Sequence, residues 1–307
     1  CEKLGLPGHD AYETTLQIHH KDKYRALAKE LGISTPNARK CYSLQDVMNA
    51  VADIGFPIII KPVDLTGGKG MTRCEHMEQV EEAYQAHWAD GAREHIVQPS
   101  MVYISNPTEL GTIYSAEELK ALYETCKAHD MYLFLDGARL GYGLAAPDND
   151  LTMEWIAKYT DVFYIGGTKV GALFGEAVVI SNDSLKKDFR YIIKQKGGML
   201  AKGRLLGIQF DTLFTDDLYF EISAKAIAQA ERIRACIDKK GFPYLVANRT
   251  NQIFPIIPDV LLEKMGEKFQ YSYERRVDES HSAVRFCTSW ATKDENVDAL
   301  VKAIQEL

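Results

Sequence analysis

Short apolar segments that fit β-strands alternate with segments of helical periodicity along most of this chain. The alternation is regular after residue 100, where strand-like stretches lie at 102–104, 132–135, 162–165 and 177–180. Polar and amphipathic stretches separate them. This order is typical of an α/β protein with a mostly parallel sheet flanked by helices. We therefore expect the strands after residue 100 to share one such sheet.

Helix boundaries can be read at several points of the chain. Ser115 and Glu118 form a capping box ahead of apolar residues at helical spacing. A long helical pattern at 217–239 ends at Gly241. The tail after it contains shorter elements: strand-like 253–257 and 284–287, helix-like 259–268, and a last helix opened by Thr292 and Glu295. The tail is therefore expected to form a smaller α+β subdomain.

The chain is expected to contain three parts. A front α/β segment covers residues 1–80, an incomplete large domain covers 81–215, and the small α+β subdomain covers 216–307. The front segment has elements of its own, helix-like at 21–31 and 44–54, strand-like at 58–61, with a helical stretch at 77–88 near the junction.

Composition narrows the class of partner. The 307 residues include 36 Lys and Arg against 43 Asp and Glu, a net charge of −7. An acidic chain of this kind is a poor general binder of nucleic acid. The apolar runs are too short for a membrane span, and no secretory leader is apparent, so we expect a cytoplasmic protein. The 6 cysteines form no C-x-x-C pair, which predicts reduced thiols and no metal site.

An aspartate and a lysine follow two successive strands. Asp136 ends the stretch 132–135, and Lys169 follows 162–165 within a glycine-rich turn. Ligands bind at this carboxyl edge of an open α/β sheet. An amine that forms a Schiff base with pyridoxal phosphate, and an acid that pairs with the ring nitrogen, suit this arrangement. A surface lysine and a structural ion pair between Asp136 and Arg139 are the alternative, which spacing alone leaves open.

Four segments carry a specific resemblance. They are MVYISNPTELGTIYS at 101–115, LDGARL at 135–140, GGTKVG at 166–171 and VRFCTSWAT at 284–292. They resemble the low-specificity threonine aldolase and β-eliminating lyase family, which has the aspartate-aminotransferase-like, pyridoxal-phosphate-dependent fold. The resemblance runs from about residue 85 to the C-terminus. The family's first strands, its glycine-rich phosphate-binding turn and its ring-stacking aromatic or histidine residue are not recognisable upstream.

This resemblance implies roles for individual residues. Lys169 would be the Schiff-base lysine and Asp136 the partner of the ring nitrogen, while Arg285 would bind the substrate carboxylate. Further residues are implied at the cofactor: Arg139 and Thr168 beside it, Asn106 with Thr108 and Glu109 near the ring, and Lys202 and Arg204 at its phosphate, across a dimer interface.

The front segment resembles a different superfamily. Residues 4–8, 22–29, 32–36 and 55–70 are similar to ATP-grasp enzymes, the carboxylate–amine ligases. A lysine on a buried strand followed by a glycine turn can hold polyphosphate. The resemblance implies ATP with magnesium, bound by Lys23 and Lys61 and covered by Gly67, Gly68 and Gly70. After residue 80 the second subdomain that would hold magnesium is not recognisable.

Three functions stay open from sequence. The first is a pyridoxal-phosphate lyase that cleaves a small β-hydroxy amino acid to glycine and an aldehyde, as a homo-oligomer if its site is complete. The second is an ATP-dependent, ligase-like nucleotide binder. The third is a folded chimera or scaffold without turnover, because the chain resembles part of one enzyme joined to part of another.

Overall fold

The computed structural model describes residues 77–91, 93 and 98–306. All of them belong to one compact unit, Cys74–Leu307. The elements expected before residue 77 lie outside the described residues. Within the described part, no helix combines the length and apolarity needed to cross a bilayer.

The first half of the described chain forms an α/β layer around a four-stranded sheet. Its elements are α1 (Met77–Ala89), β1 (Met101–Ser105), α2 (Ala116–Ala128), β2 (Tyr132–Asp136), α3 (Leu140–Leu144), α4 (Met153–Lys158), β3 (Val162–Gly166) and β4 (Glu176–Ile180). The strand order is β1-β2-β3-β4. The first three strands are parallel and β4 runs antiparallel to β3. This mostly parallel sheet confirms the predicted fold class.

Alternation along the strands directs apolar side chains to one face. Ile104, Leu133 and Phe163 are buried there, in one cluster with Leu119 of α2 and Ile156 of α4. Successive residues of a strand point to opposite faces, which is why these positions alternate with more exposed ones. The predicted capping box is present at the start of α2, where Ser115 and Glu118 bond reciprocally.

A buried carboxylate fixes the opposite edge of the sheet. Asp161, just before β3, accepts hydrogen bonds from Lys127 Nζ at 2.7 Å, Leu133 N at 2.8 Å and Asn182 Nδ2 at 2.7 Å. A buried charge is tolerated only when it is paired and hydrogen-bonded in this way. These bonds join α2 and β2 to the segments before β3 and after β4, at the end of the sheet opposite to Asp136.

The second half is built around one long helix. Its elements are α5 (Phe189–Gln195), α6 (Arg204–Phe214), α7 (Leu218–Lys240), β5 (Gln252–Ile253), β6 (Ile256–Pro258), α8 (Asp259–Gly266), β7 (Ser272–Arg276), β8 (His281–Cys287) and α9 (Asp294–Glu306). A second sheet has the order β5-β8-β6, and β7 also pairs with β8. Its core includes Ile253, Ile257 and Val284 from the strands and Ile233 and Ile237 from α7.

Several elements differ from the sequence prediction. The strand expected at 253–257 is divided into β5 and β6 around Pro255, which has no N–H to donate to a ladder. The last helix begins at Asp294, because the Thr292 hydroxyl instead accepts a hydrogen bond from Ser289 N at 2.9 Å. The limits of the three expected parts, 1–80, 81–215 and 216–307, stay a prediction.

Candidate active site

Close packing of two strand ends brings Asp136 and Lys169 to one edge of the sheet. Asp136 ends β2, and Lys169 lies in a short 3-10 turn, Thr168–Val170, directly after the neighbouring strand β3. A Cβ at Gly137 would lie 2.0 Å from the Tyr164 carbonyl oxygen, and one at Gly166 would lie 2.3 Å from that of Ala138. Only glycine fits such an approach of two backbones.

The Asp136 carboxylate is held on both oxygens. Oδ1 accepts a hydrogen bond from Ala138 N at 2.9 Å, and Oδ2 accepts a short one from the Tyr103 hydroxyl. The Tyr103 ring stacks on Phe134 with centroids 5.2 Å apart. Desolvation and the Asp136 carboxylate raise the pKa of Tyr103 to about 12. Burial, followed by a hydrogen bond to Asp136, also raises the pKa of Tyr164. Two phenols therefore flank this carboxylate.

The backbone of the lysine turn is anchored by a buried tyrosine. Tyr142 of α3 is 1% exposed, and its hydroxyl donates a hydrogen bond to the Lys169 carbonyl oxygen. The same hydroxyl accepts a hydrogen bond from Trp290 N at 3.2 Å. The Lys169 side chain itself is exposed. Tyr142 thus links the lysine turn to the segment after β8 and leaves the amine accessible.

Replacing Tyr142 with phenylalanine should lower the free energy of unfolding by about 1–3 kcal/mol at neutral pH, because the Lys169 carbonyl oxygen and the Trp290 N–H lose their hydrogen bonds to the tyrosine hydroxyl. Burial raises the pKa of Tyr142 to about 12. The folded state therefore keeps the phenol proton above about pH 10, where an unfolded tyrosine begins to lose it. The hydroxyl's contribution is complete below about pH 10 and is lost as the pH rises towards the folded-state value.

Urea denaturation followed by circular dichroism measures both effects. The gap in unfolding free energy between wild type and Tyr142→Phe should narrow above about pH 10. Tyr191→Phe, at an exposed tyrosine of α5, is the control and should leave the unfolding free energy near the wild-type value. A gap for Tyr142→Phe that stays constant across this range would contradict the assignment.

Two arginines lie at opposite ends of a short polar chain. Arg139 Nη1 lies 3.4 Å from Glu109 Oε2, and the Glu109 carbonyl oxygen accepts a hydrogen bond from Gln252 Nε2 at 3.1 Å. Arg285 Nη1 donates to Gln252 Oε1 at 3.4 Å, and its Nε lies 3.4 Å from Glu274 Oε1. The acidic partner of Arg285 is thus on β7. This series of polar contacts connects the loop after β1 to the middle of β8.

Three positively charged side chains lie near Cys287 at the end of β8. Desolvation raises the pKa of the Cys287 thiol, and the nearby positive charges of Arg139, Arg285 and Lys169 partly oppose this shift. Burial raises the pKa of Glu176, which accepts from Gly167 N at 3.2 Å and is also influenced by Lys169. Three cations near one point suit an anionic ligand.

A buried amide lacks a hydrogen-bond acceptor near this site. Asn106 is 1% exposed, and its Oδ1 accepts a hydrogen bond from Tyr114 N at 3.1 Å. Its backbone N–H donates to the Asp136 carbonyl oxygen at 2.9 Å, which places it beside the end of β2. Its Nδ2 finds no partner among the described residues. An unsatisfied buried donor is costly, so a ligand oxygen would stabilise this position.

The structure brings together most of the expected site residues. Asn106 and Asp136 are hydrogen-bonded at the end of β2, and Lys169 follows the adjacent strand β3. Arg139 and Arg285 are connected through Glu109 and Gln252. The remaining expected residues stand apart or are bonded locally: Thr168 is exposed at the start of the lysine turn, Thr108 bonds to Thr112, and Lys202 and Arg204 are exposed near the start of α6. No hydrogen bond or ion pair among residues 98–306 joins Lys202 or Arg204 to this cluster.

Sequence reasoning missed several residues here, namely Tyr103, Tyr142, Glu176, Gln252 and Cys287. Tyr103 lay within a matched segment, but nothing in its spacing shows which residue its hydroxyl meets. The contact between Tyr142 and Trp290 joins residues far apart in sequence.

Among the described residues, no group of three or more His, Cys, Asp or Glu side chains could hold a metal ion.

Partial matches tie a small part of the chain to ATP-grasp enzymes. A formate-dependent phosphoribosylglycinamide formyltransferase of Herminiimonas arsenicoxydans is 36% identical over 67 residues, 22% of this chain and 16% of the relative. The alanine–anticapsin ligase of Bacillus subtilis is 31% identical over 84 residues, 27% of this chain and 18% of the relative. The residues expected to bind ATP all lie outside the described residues: Lys23, Lys61, Gly67, Gly68 and Gly70. ATP binding stays a prediction.

Comparison with solved structures identifies a near neighbour of the described fold. A threonine aldolase of Leishmania major superposes with a TM-score of 0.71 at 37% identity, over 84% of this chain and 72% of the other. A serine palmitoyltransferase of Sphingomonas wittichii, 13% identical, superposes with a TM-score of 0.53 and shows the fold alone. The pyridoxal-phosphate-dependent transferase fold expected from sequence is thereby confirmed.

Sequence comparison points to the same group of proteins. The low-specificity L-threonine aldolase of Pseudomonas aeruginosa is 30% identical over 216 residues, which are 69% of this chain and 60% of the relative. That of a Pseudomonas strain is 31% identical over 215 residues. The chain spans about 60% of the length of these relatives. The sequence model of the beta-eliminating lyases matches residues 59–274, and the chain therefore belongs to this pyridoxal-phosphate-dependent family, on its threonine aldolase-like side.

Proposed function

We propose that this chain is a pyridoxal-phosphate lyase that cleaves β-hydroxy amino acids to glycine and an aldehyde. The observation that carries the proposal is the position of Asp136 at the end of β2 and of Lys169 in the turn directly after the adjacent parallel strand β3. The curated relatives are low-specificity L-threonine aldolases, which supports a substrate of the threonine type.

The residues present fit the cofactor. The unsatisfied Nδ2 of Asn106 can donate to a ring oxygen, and the Asp136 carboxylate can accept from the ring nitrogen. The exposed Lys169 amine is available for covalent attachment of the cofactor. When bound, pyridoxal phosphate supplies an electron sink for the bond that breaks beside the substrate's α-carbon.

The other expected cofactor contacts are part of this proposal. Arg139 and Thr168 lie on the same edge of the sheet as Lys169 and would support the cofactor there. Lys202 and Arg204 are exposed near the start of α6. Exposed basic residues there could bind the phosphate of a cofactor that is held by another subunit. A homo-oligomer belongs to the proposal for that reason.

Arg285 is proposed to bind the substrate carboxylate. Its Nε and Nη1 are used by Glu274 and Gln252, whereas Nη2 meets no acceptor within the described residues. Its partners hold the guanidinium plane in place, and a planar guanidinium fixes both oxygens of a carboxylate better than an ammonium does. A fixed carboxylate would in turn orient the bond between the α- and β-carbons of the substrate for cleavage.

Glycine released from threonine in the presence of pyridoxal phosphate tests the proposed reaction. Wild type should release glycine and acetaldehyde in equal amounts. Arg285→Lys should lower kcat/KM by about 30–1000-fold, equivalent to about 2–4 kcal/mol for a lost charge pair. Cofactor binding, followed by absorbance, should be unchanged, because Arg285 is assigned to the substrate.

The control for this experiment is Arg276→Lys on the neighbouring strand β7. Arg276 is exposed and pairs with Asp259. This variant should keep wild-type kcat/KM. If Arg285→Lys also keeps it, Arg285 does not bind the substrate carboxylate. If wild type with saturating cofactor releases no glycine from any β-hydroxy amino acid, the proposed function is wrong.

A further inference from the structure

We propose that Tyr103 is a positioning residue for Asp136, whose hydroxyl fixes the plane of the carboxylate that meets the cofactor ring nitrogen. The inference rests on the proposed function, since it assigns Asp136 to the cofactor. It extends that function by one residue, on a strand that carries neither Asp136 nor Lys169.

The sheet register makes this contact specific. Tyr103 of β1 lies opposite Phe134 of β2, and Ser105 lies opposite Asp136. Tyr103 and Asp136 therefore share one face of the sheet, two positions apart along the strands. A tyrosine side chain is long enough to cover this diagonal, and its hydroxyl meets Asp136 Oδ2.

Aromatic packing fixes the direction of that hydroxyl. The Tyr103 ring lies nearly parallel to the Phe134 ring, with an interplanar angle of 8°. Phe134 in turn packs edge-on to Tyr164 of β3 at a centroid distance of 6.0 Å. The rings of Tyr103, Phe134 and Tyr164 thus form a row across β1, β2 and β3, which fixes the position of the Tyr103 hydroxyl. About half of the Tyr103 side chain is nevertheless exposed.

Two donors on different oxygens define the orientation of a carboxylate. Ala138 N binds Oδ1 and Tyr103 binds Oδ2, so rotation about the side-chain bond would break both hydrogen bonds. The Tyr164 hydroxyl also hydrogen-bonds to this carboxylate. Each carboxylate oxygen can accept two hydrogen bonds, so one of the four acceptor positions stays available for the ring nitrogen. Hydrogen bonds to an ionised group are the stronger ones.

Tyr103 stays a donor throughout the neutral range. The hydroxyl's desolvation and the adjacent carboxylate raise its pKa to about 12. The neutral phenol is the form that can donate to Asp136. The competing interpretation is that Tyr103 contributes only ring packing on Phe134, and Tyr103→Phe separates the two because it removes the hydroxyl and keeps the ring.

The experiment compares pyridoxal phosphate with its 1-deaza analogue, which has a carbon in place of the ring nitrogen. Dissociation constants of both come from absorbance and fluorescence titrations, without turnover. Wild type should prefer pyridoxal phosphate, because the analogue cannot pair with Asp136. In Tyr103→Phe this preference should fall about tenfold, as expected for losing a hydrogen bond to a charged group. Circular dichroism checks that the variant is folded.

Tyr132→Phe is the matched control. Tyr132 lies on the same face of β2 and is similarly exposed, and its hydroxyl makes no hydrogen bond within the described part of the chain. Its preference should equal that of wild type. If Tyr103→Phe weakens the binding of pyridoxal phosphate and of the analogue by the same factor, or changes neither, the role of Tyr103 is overturned while that of Asp136 stands. If wild type itself shows no preference, the Asp136 assignment fails and this inference fails with it.

Discussion

Replacing Lys169 with alanine should abolish covalent retention of pyridoxal phosphate and lower glycine release on the order of 1000-fold or more, as for other covalent catalytic groups. The fold should survive, because Tyr142 holds the turn through the Lys169 carbonyl oxygen and not through its side chain. The amine is exposed, so its removal leaves no buried cavity.

Borohydride reduction followed by peptide mapping checks this expectation. In wild type the cofactor should be found on the peptide that contains Lys169, and in Lys169→Ala no lysine should carry it. Lys186→Ala removes an exposed lysine that pairs with Asp183 and should keep both label and activity. A label on another lysine in wild type would show that the attachment residue has been wrongly assigned.

Asp136→Asn should have the second largest effect, a fall of about 100–1000-fold in kcat, the range for removing one preorganised electrostatic group. The asparagine oxygen can still accept the hydrogen bond from Ala138 N, and its NH2 group can donate to the Tyr103 oxygen, so the strand ends should stay in place. It lacks the negative charge that would stabilise a protonated ring nitrogen. Attachment of the cofactor to Lys169 should therefore continue while turnover is lost.

Two measurements on Asp136→Asn separate loss of turnover from loss of cofactor attachment. One is kcat for threonine cleavage, and the other is the fraction of Lys169 that carries the cofactor after borohydride reduction. Asp183→Asn, at an exposed aspartate that pairs with Lys186, serves as the control and should retain wild-type kcat. Equal losses of label and turnover in Asp136→Asn would mean that Asp136 supports the site's structure and not its chemistry.

The positions of Asp136 and Lys169 could be predicted because they depend on strand order alone. Parallel neighbours bring their carboxyl ends to one edge, and the two stretches ending at 135 and 165 were recognisable by their apolar runs. The start of α2 could be predicted because a capping box is local in sequence. The matched segments then supplied the chemistry that spacing alone left open.

The remaining contacts could not be predicted because they depend on pairing between distant segments. The bond from Tyr103 to Asp136 requires the register of β1 against β2, which sequence did not reveal. The partner of Arg285 is Glu274, on a strand whose polar sequence, Ser272–Arg276, gave no apolar pattern.

The long helix α7 belongs to both apolar cores of the described unit. Ala226 and Ile227 pack with the first sheet, and Ala230, Ile233 and Ile237 pack with the second. The two halves are thereby coupled thermodynamically, since neither can lose its packing without exposing part of a helix that the other needs. We therefore expect this unit to melt cooperatively across both sheets, so that a destabilising change near Arg285 also weakens the strands that carry Asp136 and precede Lys169.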